Sequence, residues 1–323
     1  MEHIFQTEYG ITVRKTDSWD NKETFTDGTY LYFFLPSSGE GAVDMEQATL
    51  AYYLQERQYE QTALPIPKQD GGWYVTIAGR QCLVMRVNTP ARDAIQKMGS
   101  TLACFHQASE GYSFMPQEIS SYGQWGNLWT NKLTMFEQHA EKAAQQYPSD
   151  FYRLVMDILP YVIGRSENAI QYMKETESDP RYHQGDRGVI GFRRFSADAF
   201  TPVIWPHELV YDHPCRDIAE YLRTSFLYSS NDRECREFLE DYQSVRRLSV
   251  FGMRMLYARL IFPADLFDCL EEGLAAKEEK LFPFRQLEYL VEKQEMYERK
   301  LAGLFRILGI DEEQLQIPVL HWL

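Results

Sequence analysis

The chain has 323 residues, with 33 Lys and Arg against 47 Asp and Glu and a formal net charge of −14. That length suffices for one large domain or two lobes with a substantial core. The acidic balance argues against a nucleic-acid surface, which needs a clear basic patch, and no apolar run approaches the roughly 18 residues of a membrane span. The opening "MEHIFQTEYG" has no basic segment followed by an apolar one, so no secretory signal is read and synthesis of a soluble chain in the cytoplasm is expected. The five cysteines are scattered without a CxxC pair and read as reduced thiols, not as a zinc site or a disulfide frame. Aromatic content is 14%, with 21 Tyr. A core rich in Tyr and Phe explains this, and tyrosines offered for contacts or cross-linking in an assembly are the sharper reading.

In chain order, "GITVRKTD" reads as a strand in which Ile11 and Val13 alternate with polar neighbours. "ETFTDGTYLYFFLP" has strand formers on both sides of Asp27-Gly28, a hairpin signal. "AVDMEQATLAYYLQERQ" is helical, with Leu50 and Leu54 on one face, and "GGWYVTIAGRQCLVMRV" is a second hairpin turning near Gly79. From "NTPAR" the pattern becomes helical. Thr89-Pro90 reads as an N-cap with proline at the first helical position, and Ile95, Met98, Leu102 and Phe105 recur at three- and four-residue spacing. A second helix carries Trp125, Leu128, Trp129, Leu133 and Phe136, and a third spans about 150 to 174. Irregular chain with one short strand is expected from Arg181 to about Trp205. The longest helical stripe then runs through Leu287, Leu290, Val291, Tyr297, Leu301, Leu304, Phe305 and Leu308 and stops at Gly309. The expected architecture is α+β, with a β-rich lobe over 1–88 and a helical lobe over 89–323, the boundary lying near Val87 to Ala91.

Three segments carry a resemblance. "GSTLACFHQASEGY" (99–112) is similar to an "LAxxHxxS" helix, "YGQWGNLWTNKL" (122–133) to a "GxWxxxxxxKL" segment, and "VYDHPCRDIAEYLR" (210–223) to a "YDxPxRDLAxxxR" segment. In this order they resemble the spore-coat kinase-like proteins of the CotS type, most closely the YutH-like branch. These lie within the aminoglycoside-phosphotransferase and choline-kinase superfamily. The resemblance covers nearly the whole chain. It implies a protein-kinase-like bilobal fold, a small antiparallel sheet with one helix followed by a large, mostly helical lobe. It also implies association with a bacterial endospore coat, with other coat proteins as partners.

Complete members of such folds transfer phosphoryl groups, which is mostly positioning and charge stabilisation. Each part has a position here. The turn "TDSWDNK" has no glycine to let backbone amides approach a triphosphate, and Asp17 and Asp20 would repel one. Phe33 or Phe34 stands where the phosphate-binding lysine of the third strand is expected. Lys15 is a substitute donor, and Glu46 reads as a solvated residue once that lysine is gone. In "YHQGDRGVIGF" the catalytic loop has two registers. One takes His183 as its histidine and puts Gly185 and Ile190 at the base and asparagine positions. The other takes Asp186 as base and puts Gly191 at the asparagine position. A turn role for Asp186 stands beside both. Counting back from Tyr211-Asp212 puts the metal-binding aspartate at Trp205, at the end of a strand. Indole does not ligate magnesium, and Glu208 or Asp212 are the replacements to consider.

The expectation is therefore a pseudokinase of the spore coat that uses no cofactor and no metal, with His183, Asp186 and Asp217 as remnants. A phosphotransferase with a rearranged site and a non-catalytic ligand sensor are the alternatives. Asp186→Ala is expected to leave the folding of a scaffold intact. His106 reads as a packed core histidine and Cys215 as structural. His183, His207 and His213 match no compact metal motif. Asp217 and Pro214 read as fixing a helix start. The last long helix reads as core packing, with a coiled-coil surface as the other option, and "IPVLHWL" as a tail tucked against the lobe.

Overall fold

A computed structural model describes residues 1–19, 22–88, 97–146, 149–200, 202–229, 231–275 and 281–320. The chain opens with α1 (Glu2–Ile4), which runs into a π-helical turn at Phe5–Tyr9. Strands β1 (Lys15–Trp19), β2 (Lys22–Thr26) and β3 (Tyr30–Pro36) follow, then α2 (Gly41–Glu56), β4 (Leu64–Pro65), β5 (Tyr74–Ile77) and β6 (Arg80–Asn88). Next come α3 (Met98–Ser109), α4 (Trp125–Gln146) and α5 (Asp150–Glu177), and the short strands β7 (Val189–Phe192) and β8 (Leu209–Asp212). The remainder is helical: α6 (Cys215–Tyr228), α7 (Asp232–Val245), α8 (Val250–Ile261), α9 (Ala264–Ala275), α10 (Leu281–Ala302) and α11 (Leu304–Ile307). Thr89, Pro90, Ala91 and Ile95, expected at the lobe boundary and the start of α3, lie outside the described residues, as does Asp20.

Contacts divide the chain into two compact units. The first comprises Met1–Gln96, Phe105–Ser120 and Val189–Asp212. Its sheet is antiparallel, in the order β1-β2-β3-β6-β4, with β5 paired to β6. The Asp27-Gly28 hairpin forms as read, and Ile77 pairs with Arg80 around Ala78-Gly79, where both turn residues take positive φ. The first strand sits later than expected. Ile11 and Val13 are in no strand but pack at the edge of a cluster around Phe5, while β1 is almost wholly exposed and held by its ladder to β2.

Strand β3 is buried on both faces because period-two alternation sends its aromatic residues to two different clusters. Tyr32 and Phe34 join Phe5, Phe25 and Val84 on one face. Phe33 joins Leu83, Met85, Val87 and Val203 on the other. A further apolar group forms where Phe105 stacks on Phe192 at 5.1 Å and meets Tyr59 and Phe200 edge-on. His106, fully buried beside Phe105, is the core histidine that the helix pattern suggests.

The second unit comprises Lys97–Cys104, Ser121–Gly188 and His213–Leu323. Ser149, Asn231 and Ser249 cap α5, α7 and α8 by accepting backbone N–H bonds, the standard remedy for orphaned helix donors. Trp129, Phe262 and Phe267 form a stacked column with centroids 4.5 and 5.1 Å apart. The fully buried Arg165 joins three helices: its Nη1 donates to Gln294 Oε1 at 2.6 Å and its Nη2 to the Leu260 carbonyl at 3.2 Å. The last helical stripe is two helices, not one, because Gly303 separates α10 from α11. Leu287, Leu290, Tyr297 and Leu301 on α10 are buried, so α10 is a core helix. Ile317 is buried, Tyr172 donates to the Pro318 carbonyl, and the Leu320 amide donates to Tyr257 Oη, which docks the described part of the tail.

Gly99, in the first turn of α3, allows a backbone approach that no side chain would permit. A Cβ there would lie 2.0 Å from the Phe238 carbonyl oxygen and 2.8 Å from the Tyr242 nitrogen. Gly99→Ala is therefore expected to cost about 1–3 kcal/mol or more, read as a lower urea midpoint with an unchanged slope.

Candidate functional site

In the first unit, β3 places Phe33 on an aromatic surface. Its ring meets Trp205 edge-on at 5.2 Å and Trp19 at 5.7 Å, and Phe33 is 1% exposed. Lys22 Nζ lies 5.4 Å above the Trp205 ring, within cation–π range. Phe34 points away from this group, into the cluster around Phe5. The position of the expected lysine is thus filled by a ring that is itself covered by rings. Lys15 does not substitute: it pairs with Asp17, and both side chains are well exposed. Glu46 is not a solvated residue. Its two oxygens accept the amides of Gln117, Glu118 and Ile119 at 2.7, 2.9 and 3.1 Å, tying that loop to α2.

The strand expected to end at Trp205 does not form there. Val203 and Trp205 are in no strand, Ile204 makes an isolated parallel bridge to Thr62, and Pro206–Glu208 is a 3-10 turn. Pro206 has no N–H to give to a ladder. The partner of β7 is instead β8, in the register Val189↔Asp212 and Gly191↔Val210. Gly191, assigned to an asparagine position in the loop, is thus a ladder residue inside a strand. The carboxylate that ends this hairpin is Asp212, 1% exposed. Glu208 stays in the turn, its Oε1 3.3 Å from His207 Nε2. That hydrogen bond outweighs burial and holds its pKa below the ordinary value.

A cavity of about 320 Å³ lies within this unit. Leu35 and Met85 of the sheet line it, with Asp44 and Gln47 of α2, and Arg193 and His207. Asp44 accepts from the Ser38 amide at 3.0 Å and Tyr74 Oη at 3.2 Å. His207 Nδ1 is buried with no hydrogen-bond partner among the described residues.

In the second unit, the loop expected to carry the catalytic positions is a capped 3-10 turn, Gln184–Asp186. His183 Nδ1 accepts from the Gly185 amide at 3.1 Å, and Asp186 Oδ2 accepts from the His183 amide at 2.6 Å. Ser249 Oγ donates to Asp186, 2.7 and 2.8 Å from its two oxygens, while accepting from the Gly252 amide to cap α8. His213 Nδ1 accepts from the Cys215 amide at 3.1 Å, which leaves the ring proton on Nε2, 3.4 Å from Asp186 Oδ1. Ser249, His213 and Asp186 do not form a hydrolytic relay, because the serine hydroxyl is spent on the carboxylate and the cap. Gly252 leaves room for the carboxylate: a Cβ there would lie 3.1 Å from Asp186 Oδ1.

His213 is the group that satisfies the start of α6. The N-cap position is Pro214, and Asp217 sits in the first turn, 1% exposed, where its charge complements the helix dipole. Cys215 is fully buried, as a structural cysteine should be. Among the described residues no three His, Cys, Asp or Glu side chains converge as a metal site, and no helix is long and apolar enough to cross a membrane.

Sequence reasoning did not single out Ser249, Lys22 or Arg193. Ser249 was findable as an N-cap before an apolar helix. Nothing in the spacing of Lys22 or Arg193 distinguishes them.

Burial alone would raise the Asp186 pKa, but hydrogen bonds from His213, Ser249 and the His183 amide outweigh it and hold the carboxyl below its ordinary value. Asp179, hydrogen-bonded by Arg181 and Arg254 against the effect of burial, is held well below the carboxylate range. Both folded-state pKa values lie below the unfolded ones. Their contribution is thus fully present above about pH 4 and lost as the pH falls through the depressed values. Asp186→Asn is expected to flatten the acid limb of a stability–pH profile. Asp186→Ala, far from being neutral for folding, is expected to cost about 2–4 kcal/mol, because it leaves buried donors unpaired. Ser249→Ala should cost about 2–3 kcal/mol, through the lost cap and the lost hydrogen bond to a buried carboxylate. Chemical denaturation measures all three.

Comparison with known proteins gives the family and fold. A family model described as "Spore coat putative kinase YutH" matches residues 2–304. The endospore coat-associated protein YutH of Bacillus subtilis (strain 168) is 28% identical over 325 residues, covering 98% of this chain and 96% of that protein. Among solved structures, an aminoglycoside phosphotransferase from Alicyclobacillus acidocaldarius aligns with a TM-score of 0.66 at 15% identity, over 94% of this chain and 95% of that one. A spectinomycin phosphotransferase in complex with ADP and spectinomycin aligns with a TM-score of 0.60 at 10% identity, over 92% and 96%. At these identities the structures speak for the fold.

Proposed function

The chain belongs to the spore-coat YutH family, and from that membership we propose that it is a catalytically degenerate kinase-like scaffold, joining a bacterial endospore coat through contacts with other coat proteins. On this reading residues 1–88 and 89–323 act as the two lobes of a fold that has kept its frame and lost its chemistry. The observation that carries the reading is the contact of Phe33 with Trp205. A phosphate-binding strand needs a cation on its ligand face, and β3 (Tyr30–Pro36) has no Lys or Arg, while its Phe33 is buried among rings. The remnants support the same conclusion. Asp186 spends both oxygens on His183 and Ser249 and is 2% exposed, which leaves no open face for a substrate hydroxyl. The glycine-free turn gives no close amides to a triphosphate. These residues do not fit a magnesium nucleotide. The coat location rests on the similarity to the endospore coat-associated protein of Bacillus subtilis.

Titration calorimetry of the full chain with ADP and magnesium tests the reading. No measurable heat at millimolar nucleotide is expected, and micromolar affinity would overturn it. Phe33→Lys is expected not to restore nucleotide binding and to cost several kcal/mol, because it buries an ammonium among aromatic rings without a partner. Thermal unfolding and the same titration read both effects.

Two observations favour second readings. The cavity beside β3, with the unpartnered Nδ1 of His207, favours a sensor that binds a small ligand without turning it over. The carboxylate of Asp212 at the end of β8 favours a phosphotransferase with a rearranged metal site. Magnesium-dependent ADP binding separates the second from the scaffold. Binding of a sugar or nucleotide in the absence of turnover separates the first.

A further inference from the structure

The second unit carries a local reversal of charge. In a chain of net charge −14, a groove of about 590 Å³ is lined by Arg233, Arg236, Arg299, Lys300 and Arg306 against one carboxylate, Asp232. The groove is formed by α7, the end of α10, and α11, which begins after Gly303.

These cations have different duties. Arg236 and Lys300 build the walls. Arg236 Nε donates to the Ile307 carbonyl at 2.7 Å, and Lys300 donates to the Ser229 carbonyl and lies 3.4 Å from Asp232. Among the described residues, the side chains of Arg233 and Arg299 are held only by i,i+4 partners on their own helices, Glu237 at 2.6 Å and Glu295 at 2.7 Å. All four of those side chains are more than half exposed, so the pairs are weak and readily exchanged for a better partner. Arg306 makes no ion pair among the described residues and is exposed. Gathered like charges repel one another in the free chain, and an anion in the groove relieves that repulsion. Met296 and Ile307 add an apolar component to the lining. A small inorganic anion would leave that surface unused, whereas a peptide that sets apolar side chains between carboxylates would use both.

We propose that this groove docks an acidic peptide segment of a partner protein, with Arg306 and Arg299 as the principal carboxylate contacts. This deepens the assembly reading by giving the chemistry of the partner and rests on that reading for its biological setting. The groove itself can be tested on the purified chain whether or not the nucleotide site is dead.

The probe is a fluorescein-labelled peptide of alternating Glu and Leu, titrated with the full chain and followed by anisotropy, with a Lys-Leu peptide as control. The Glu-Leu peptide is expected to bind, to weaken with added salt, and to lose at least about tenfold in affinity in the double variant Arg299→Glu, Arg306→Glu. The thermal midpoint should fall only slightly, since both side chains are exposed and the change at 299 exchanges a weak i,i+4 attraction to Glu295 for a weak repulsion. If the double variant does not fold, Arg306→Gln alone gives the same comparison with a smaller loss. Equal affinity of wild type and variant, or no binding at low salt, overturns the proposal. So does full displacement of the peptide by equimolar pyrophosphate, which would make the groove a small-anion site. Self-association that the variant abolishes, without peptide binding, would seat a second copy there and overturn it too. Calorimetry with ADP reports on the scaffold reading alone, so the two can fail separately.

Discussion

A buried carboxylate has to have its acceptor capacity filled, and Asp186 sets much of what surrounds it by that requirement. Its oxygens bind the hydroxyl that caps α8 and the amide that opens its own turn, and the histidine beneath α6 faces it at longer range. One charge therefore joins a loop and two helix starts. Gly252 fits the same demand, because a side chain there would crowd the carboxylate. A residue bound in this way is a brace. The bonds that hold it also depress its pKa, so the frame it joins is sensitive to acid.

The first unit meets a different constraint, that of a strand with two buried faces. Alternation alone assigns Phe33 and Phe34 to opposite sides of β3, and only one of them meets Trp205. The aromatic surface is continuous from Trp19 through Phe33 to Trp205. Lys22 supplies the nearby cation, held over an indole face. The chemistry of the region is thus apolar at the point where a phosphate site would be most polar.

Much of this was legible in the sequence. The Asp27-Gly28 and Gly79 hairpins, helix α2 with its buried Leu50 and Leu54, and the buried His106 followed from turn chemistry and periodicity. Three features were not. Gly303 breaks a stripe whose apolar spacing continues across it, because periodicity reports which side is buried and not whether the backbone is continuous. The strand near Trp205 is displaced to β8 because Pro206 interrupts the ladder, and β propensity for Val203-Ile204 could not show which segment pairs with β7. Asp186 looked dispensable because a carboxylate beside a glycine is common in exposed turns, and only tertiary contacts with Ser249 and His213 reveal that it is buried. Burial of charge is a long-range property, and short motifs carry little of it.

The edge-to-face contact of Phe33 and Trp205 bears on the history open to such a chain. A lysine at 33 alone would set an ammonium against an indole in a dry interior, and an aspartate at 205 alone would remove the ring that covers Phe33. Each exchange is unfavourable without the other, so the two positions are coupled. Once two rings have met in this way, drift by single substitutions has no downhill route to a charged pair. The contact works as a ratchet: sequences descending from this arrangement can vary the size and shape of the rings far more easily than they can acquire a polar site.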